Sequence, residues 1–179
     1  LIRLAQCGYF LFRKTITISI KLARQAGCPE PPRNLPERLA IMNEKIAHFL
    51  DTHNPPTPCL VVDLQIVHQN YAALRDSLPE ADIYYAVKAN PAPEILGALV
   101  GLGSHFDAAS IAEIEGCLAA GATFANLSYG NTIKKQRDIT LAHNHGVDLF
   151  TFDSEAELAK LAAAAPGARV ICRILMESG

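Results

Sequence analysis

Five polar residues stand at near-regular intervals through the chain, and two of them are not easily explained as loop decoration. Lys88, Asp107, Asn131, Asp153 and Arg173 are separated by 19, 24, 22 and 20 residues, each at or just past the end of a short apolar run. Lys88 directly follows Ile83-Tyr84-Tyr85-Ala86-Val87. On pattern alone, a lysine in that position ordinarily snorkels to water. Held instead in a partly desolvated pocket, its amine loses basicity and can form an imine with a carbonyl. Ala86, on the same strand face, would leave room for a flat ring. A helix begun after Asn90-Pro91 could turn free N–H groups toward an anion. Asn131 and Asp153 have the ordinary reading of strand ends that meet water and helix caps. That reading does not extend readily to Lys88 and Arg173.

Those residues need a frame that delivers one polar group per unit to one edge. The spacing of Leu64, Val67, Tyr71, Leu74 and Leu78 predicts one helix face behind a capping Asp63. A buried strand follows at Ile83–Val87, then a helix carrying Ile95, Leu99 and Leu102 that ends at Gly103. A strand reaching Phe106 leads to Ser110-x-x-Glu113, the form of a capping box, before Ile114 and Leu118. Strands are expected at 126–129, 149–152 and 169–175, with a second capping box at Ser154-x-x-Glu157 and a stop at Pro166-Gly167. A further strand is expected at Cys59–Val62. Strands alternating with amphipathic helices indicate βαβ units and a parallel sheet, whose ligands bind at the carboxyl ends of the strands.

Composition bounds the alternatives. The chain has 179 residues, half of them hydrophobic, with 16 basic against 18 acidic side chains and a formal charge of −2. This describes a soluble globular protein and gives no reason to expect a nucleic-acid or membrane surface. Its apolar stretches are broken by charges well before the roughly 18 residues of a membrane span. The five cysteines are scattered, without metal-ligand spacing, which argues for buried thiols in a reducing, cytoplasmic setting; Cys117 and Cys172 read as core thiols. Gly101-x-Gly103 lacks the third glycine of a dinucleotide fingerprint. His143 and His145 cannot share a helix face, so no metal is expected. The run Lys134-Lys135-Gln136-Arg137 reads as a solvated helix start. Residues 1–41 read as a doubtful extension, with upstream sequence preferred over a targeting peptide because Met42 is the first methionine.

The run YYAVKANPAPEIL, then FDAAS, YGNTIKK and FDSEAEL in order, resembles the ornithine, diaminopimelate and arginine decarboxylases, the barrel-type pyridoxal-phosphate enzymes. The resemblance covers about residues 55 to 175 and is nearest to the ornithine or lysine/ornithine branch. It implies an α/β fold: a partial (β/α)8 barrel of about five strands starting at Ile83, preceded by one strand of a separate β-domain. The expected division is an extension at 1–41, a helix and strand of the β-domain at 42–64, and the incomplete barrel at 65–179. Lys88 would carry pyridoxal 5′-phosphate, Asp107 would sit beside it near the imine, and Arg173 would approach its ring. Glu113 falls in the same family block, but its capping-box reading comes first.

The family's stacking histidine, glycine-rich phosphate loop, pyridinium-pairing acid and proton-donating cysteine are expected beyond Gly179, so the chain reads as an amino-terminal fragment, inactive alone. The implied reaction is decarboxylation of a small basic amino acid, ornithine or lysine, to a diamine for polyamine synthesis, in a full-length homodimer. Two alternatives stay open. One is diaminopimelate decarboxylase or an alanine-racemase-like enzyme; the other is a non-catalytic binding protein such as the family's antizyme inhibitors, against which Lys88 leans.

Overall fold

In the computed structural model the described residues are the strand backbone at 15–18 and residues 44–175. They fall into two compact units, one holding residues 15–18 and 68–175 and the other 44–67.

The larger unit is built on a parallel sheet whose strands lie side by side in chain order: β1 (Thr15–Ile18), β2 (Asp82–Ala86), β3 (His105–Ala108), β4 (Leu127–Tyr129), β5 (Leu149–Phe152) and β6 (Arg169–Cys172). Helices α3 (Pro93–Gly101), α4 (Ile111–Ala119), α5 (Gln136–Asn144) and α6 (Glu155–Ala164) alternate with β2 to β6. An open doubly wound sheet reverses its strand order at a switch point. Here β2 to β6 run without reversal, which is the winding of a (β/α)8 barrel, and these five strands make up part of one. Thr15–Ile18, inside the segment expected to be an extension, adds a sixth strand parallel to β2, with Thr15 opposite Asp82 and Ile18 opposite Tyr85.

Each crossover helix contributes a large, fully buried aliphatic side chain: Leu96, Ile114, Ile139 and Leu161. They lie in a core with Phe106 of β3 and Phe150 of β5, both 0% exposed. Burial of side chains this size is worth about 1.5–3 kcal/mol each, which holds helices of nine or ten residues that would not persist alone. Helix starts follow their local chemistry. Pro93 opens α3, where its missing N–H costs nothing. Ser110 Oγ accepts the Glu113 N–H at 3.2 Å, and Glu113 Oε2 accepts the Ala109 N–H at 2.7 Å, a capping box that reaches one residue further back than the standard form. Ser154 Oγ accepts the Glu157 N–H at 3.4 Å.

The smaller unit carries α1 (Glu44–His53) and the extended chain leading to α2 (Leu64–Ser77), a helix that begins in this unit and ends in the larger one. Asp63 caps α2, accepting the Gln65 N–H at 2.9 Å and a bond from Lys45 at 3.0 Å; the Lys45 bond holds its carboxyl below the usual range. Of the expected apolar face of α2, only Tyr71 is buried.

Several expectations are corrected. Cys59–Val62 is not a strand: it pairs with no described residue, and Leu60 is 80% exposed. The last strand ends at Cys172, after which the Arg173 N–H still reaches Phe152 O at 2.7 Å and Leu175 is exposed. The thiols are not all buried: Cys117 is, but Cys59 and Cys172 are exposed, while Cys7 and Cys28 lie outside the described residues. Lys134 is not solvated; it is 3% exposed. Among the described residues no helix is long and apolar enough to cross a membrane.

Candidate active site

The carboxyl edge of the sheet gathers three of the five polar residues. β2 ends in a tight 3-10 turn, Val87–Ala89, with Val87 fully buried and Lys88 exposed. The turn is held from both sides: Tyr85 donates its hydroxyl to Asn90 O at 3.1 Å, and Asn90 Oδ1 accepts the Ala92 N–H at 3.1 Å. The apolar strand therefore fixes the backbone while the amine remains accessible, rather than desolvated.

Register places Ala86 opposite Asp107, and Asp107 opposite Ser128, in one row across β2, β3 and β4. The Ser128 hydroxyl donates to Asp107 Oδ1 at 2.7 Å. Burial pushes the Asp107 carboxyl above its ordinary range; the Ser128 bond and the charges of Lys88 and Arg173 pull it down, and Glu113 pushes it up. Burial prevails. Lys88, from the end of β2, and Arg173, from the end of β6, thus act on one carboxylate. Arg173 also donates from Nη2 to Gly130 O at 3.2 Å.

Gly130 follows β4 directly, and its N–H donates to Ala108 O at 2.8 Å. A Cβ at this position would overlap the Asp107 carboxylate. Here a glycine is required by close approach. Neither Gly130 nor Ser128 was singled out by the sequence pattern. The available signal was a serine between the buried Leu127 and Tyr129, which needs a partner if it is buried.

Asn131 and Asp153 have the bland role. Asn131 bridges its own loop, donating to Ala109 O and accepting the Ile133 N–H, each at 3.4 Å, and Asp153 is exposed. Behind them lies an ion cluster that sequence reasoning missed. Lys134 Nζ donates to Asn131 O at 2.8 Å and Thr151 O at 2.7 Å, and pairs with Glu157 Oε1 at 2.8 Å. Glu157 also takes the Lys134 backbone N–H at 3.2 Å and an ion pair from Lys160. Burial raises the Glu157 carboxyl, but the two lysines outweigh it and hold the group below its usual range. The loop after β4 is thereby tied to β5 and α6.

An accessible primary amine at the same sheet edge as a half-buried carboxylate and a guanidinium, at the carboxyl ends of parallel strands, can bind a carbonyl compound covalently and balance its charges. Comparison with known proteins gives the same direction. The family described as "Pyridoxal-dependent decarboxylase, pyridoxal binding domain" matches residues 64–179. The lysine/ornithine decarboxylase of Selenomonas ruminantium is 46% identical over 123 residues, covering 69% of this chain and 31% of that protein. A crystal structure of lysine decarboxylase from the same organism aligns with a TM-score of 0.69 at 43% identity, over 76% of this chain and 37% of that one. A structure of SrLDC in complex with PLP and cadaverine aligns with a TM-score of 0.68 at 41% identity, over 76% and 35%. The chain thus spans about a third of the length of the relatives it matches. It belongs to the pyridoxal-dependent decarboxylases and carries the family's pyridoxal-binding region.

Proposed function

We propose that the full-length polypeptide containing this chain decarboxylates ornithine or lysine to the corresponding diamine, with pyridoxal 5′-phosphate attached through Lys88. The observation that carries this is the placement of Lys88, the half-buried Asp107 and Arg173 at one carboxyl edge of the sheet, where both positive charges act on the Asp107 carboxylate. Support comes from relatives whose names state that they act on lysine or ornithine.

The residues present fit the cofactor. Lys88 offers an exposed amine, Ala86 beside it has no bulk, and Asp107 and Arg173 supply one charge of each sign. When bound, pyridoxal phosphate supplies an electron sink for the pair left behind as CO2 departs. The chain's own residues do the rest. Lys88 Nζ would hold the cofactor, and the same amine, when free, would move a proton at the substrate α-carbon. Asp107 favours a proton on the nitrogen nearest its carboxylate. Arg173, seated on Gly130 O, holds a fixed positive charge at the same edge. The net change is CO2 out and one proton into its place.

A chain spanning a third of such a relative carries part of its machinery, so the complete protein, read as a homodimer, is the catalytic unit. The full-length protein should release CO2 from ornithine or lysine at least about tenfold faster, in kcat/KM, than from diaminopimelate. Residues 1–179 alone should release none. Preference for diaminopimelate would contradict the substrate assignment. Failure to release CO2 from any amino acid would favour the binding-protein reading instead.

A further inference from the structure

We propose that Ser128 and Gly130 form a clamp that positions the Asp107 carboxylate, making Ser128 a positioning residue for the reaction. The proposal rests on the reading of Asp107 as the acid beside the bound cofactor.

The clamp has two parts. Ser128 is the register partner of Asp107 and donates to Oδ1 at 2.7 Å. It is 3% exposed, so its hydroxyl has no bulk water to turn to instead. Gly130 forms the second part by lacking a side chain. The Asp107 carboxylate occupies the volume that a Cβ at 130 would take, and both of its oxygens would be overlapped there. Held at one oxygen and seated against the glycine, the carboxylate has one place to rest. Gly130 is also the junction for the opposite charge, since its carbonyl receives Arg173 Nη2 at 3.2 Å. The seat is itself pinned, by the Gly130 N–H on Ala108 O at 2.8 Å and, one residue on, by Lys134 Nζ on Asn131 O at 2.8 Å. Serine and glycine after an apolar β4 residue thus set where a carboxylate on β3 and a guanidinium after β6 stand relative to each other.

The clamp also sets charge. The groups acting on Asp107 are Lys88 from the turn after β2, Ser128 from β4, Arg173 after β6 and Glu113 from α4. Ser128 is among those favouring the ionised form. Without its bond, Asp107 keeps its proton to a higher pH and gives less support to a protonated nitrogen beside it.

The test uses the full-length holoenzyme in a cycle of Ser128→Ala, Asp107→Ala and the double variant. Two quantities are measured: the dissociation constant of pyridoxal phosphate, and the pH at which its visible absorption band shifts. With Asp107 present, Ser128→Ala should weaken cofactor binding about tenfold. It should also move the band's transition to lower pH by about one unit. In the Asp107→Ala background, the same change should alter binding by less than about twofold and leave the transition in place. Equal effects of Ser128→Ala in both backgrounds would overturn the clamp, because a purely structural serine acts whether or not Asp107 is there. No effect of Ser128→Ala in either background would overturn it too. If these results came with wild-type protein that holds the cofactor on Lys88, the functional reading would stand and only the clamp would fall. Wild-type protein that binds no pyridoxal phosphate would sink both.

Discussion

Lys88→Ala in the full-length protein is expected to lower the decarboxylation rate by about a thousandfold or more, while the fold is retained. On the role proposed for Lys88, two contributions would go at once: the covalent hold on the cofactor and an amine within reach of the substrate α-carbon. The fold should survive because Lys88 is exposed, while the turn around it is held by Val87 and the Tyr85 and Asn90 bonds. Lys88→Arg separates charge from chemistry. A guanidinium keeps the positive charge near Asp107 but does not form the bond, so it should be as inactive as alanine. Steady-state CO2 release, with circular dichroism to check folding, measures both variants. Activity of Lys88→Arg within tenfold of wild type would show that Lys88 serves only as a charge.

Glu157→Gln is expected to cost about 3–5 kcal/mol of stability, the largest structural effect in the barrel unit. Lys134 and Glu157 side chains are 0% and 3% exposed, and losing the carboxylate would leave the ammonium buried against neutral carbonyls. A buried pair of this kind adds little net stability over an apolar pair, but breaking one side is costly. The dependence on pH follows from the carboxyl's position. In the fold it lies below the ordinary glutamate value of 4.5. Its contribution is therefore complete above that value and is lost as pH falls through the lower folded value. Urea unfolding should show wild type losing stability on acidification below about pH 4.5, with a shallower acid limb in Glu157→Gln. Equal stability of the two proteins at pH 7 would show that the cluster is dispensable. Because Lys134 also holds the loop beginning at Gly130, the variant should bind cofactor less tightly as well.

How much of this was legible in the sequence depends on how local each feature is. β2 and β5 read correctly because short apolar runs ending in a polar residue are explained by their own chemistry. The Ser110 cap read correctly because donor and acceptor lie three residues apart. Cys59–Val62 failed because a strand needs a partner, and an apolar tetrapeptide does not say whether one is near. Glu157 shows the limit most directly. It satisfies the capping-box pattern, yet its carboxylate serves Lys134, 23 residues away in the chain, and so the lysine run that read as solvated holds a buried ion. Cys172 read as core from its apolar neighbours but lies on β6, the last strand in the sheet order. At the candidate site, the spacing and the resemblance pointed to Lys88, Asp107 and Arg173. Ser128 and Gly130 were silent, since one hydroxyl and one missing Cβ acquire meaning only when β3 and β4 are in register.

The central claim is that Lys88 carries pyridoxal phosphate. Borohydride reduction of the full-length holoenzyme, followed by digestion and peptide mapping, tests it most directly. The account predicts one pyridoxyl label per chain, on the peptide containing Ala86-Val87-Lys88-Ala89-Asn90. A label on any other lysine, Lys134 included, or no label at all would contradict it.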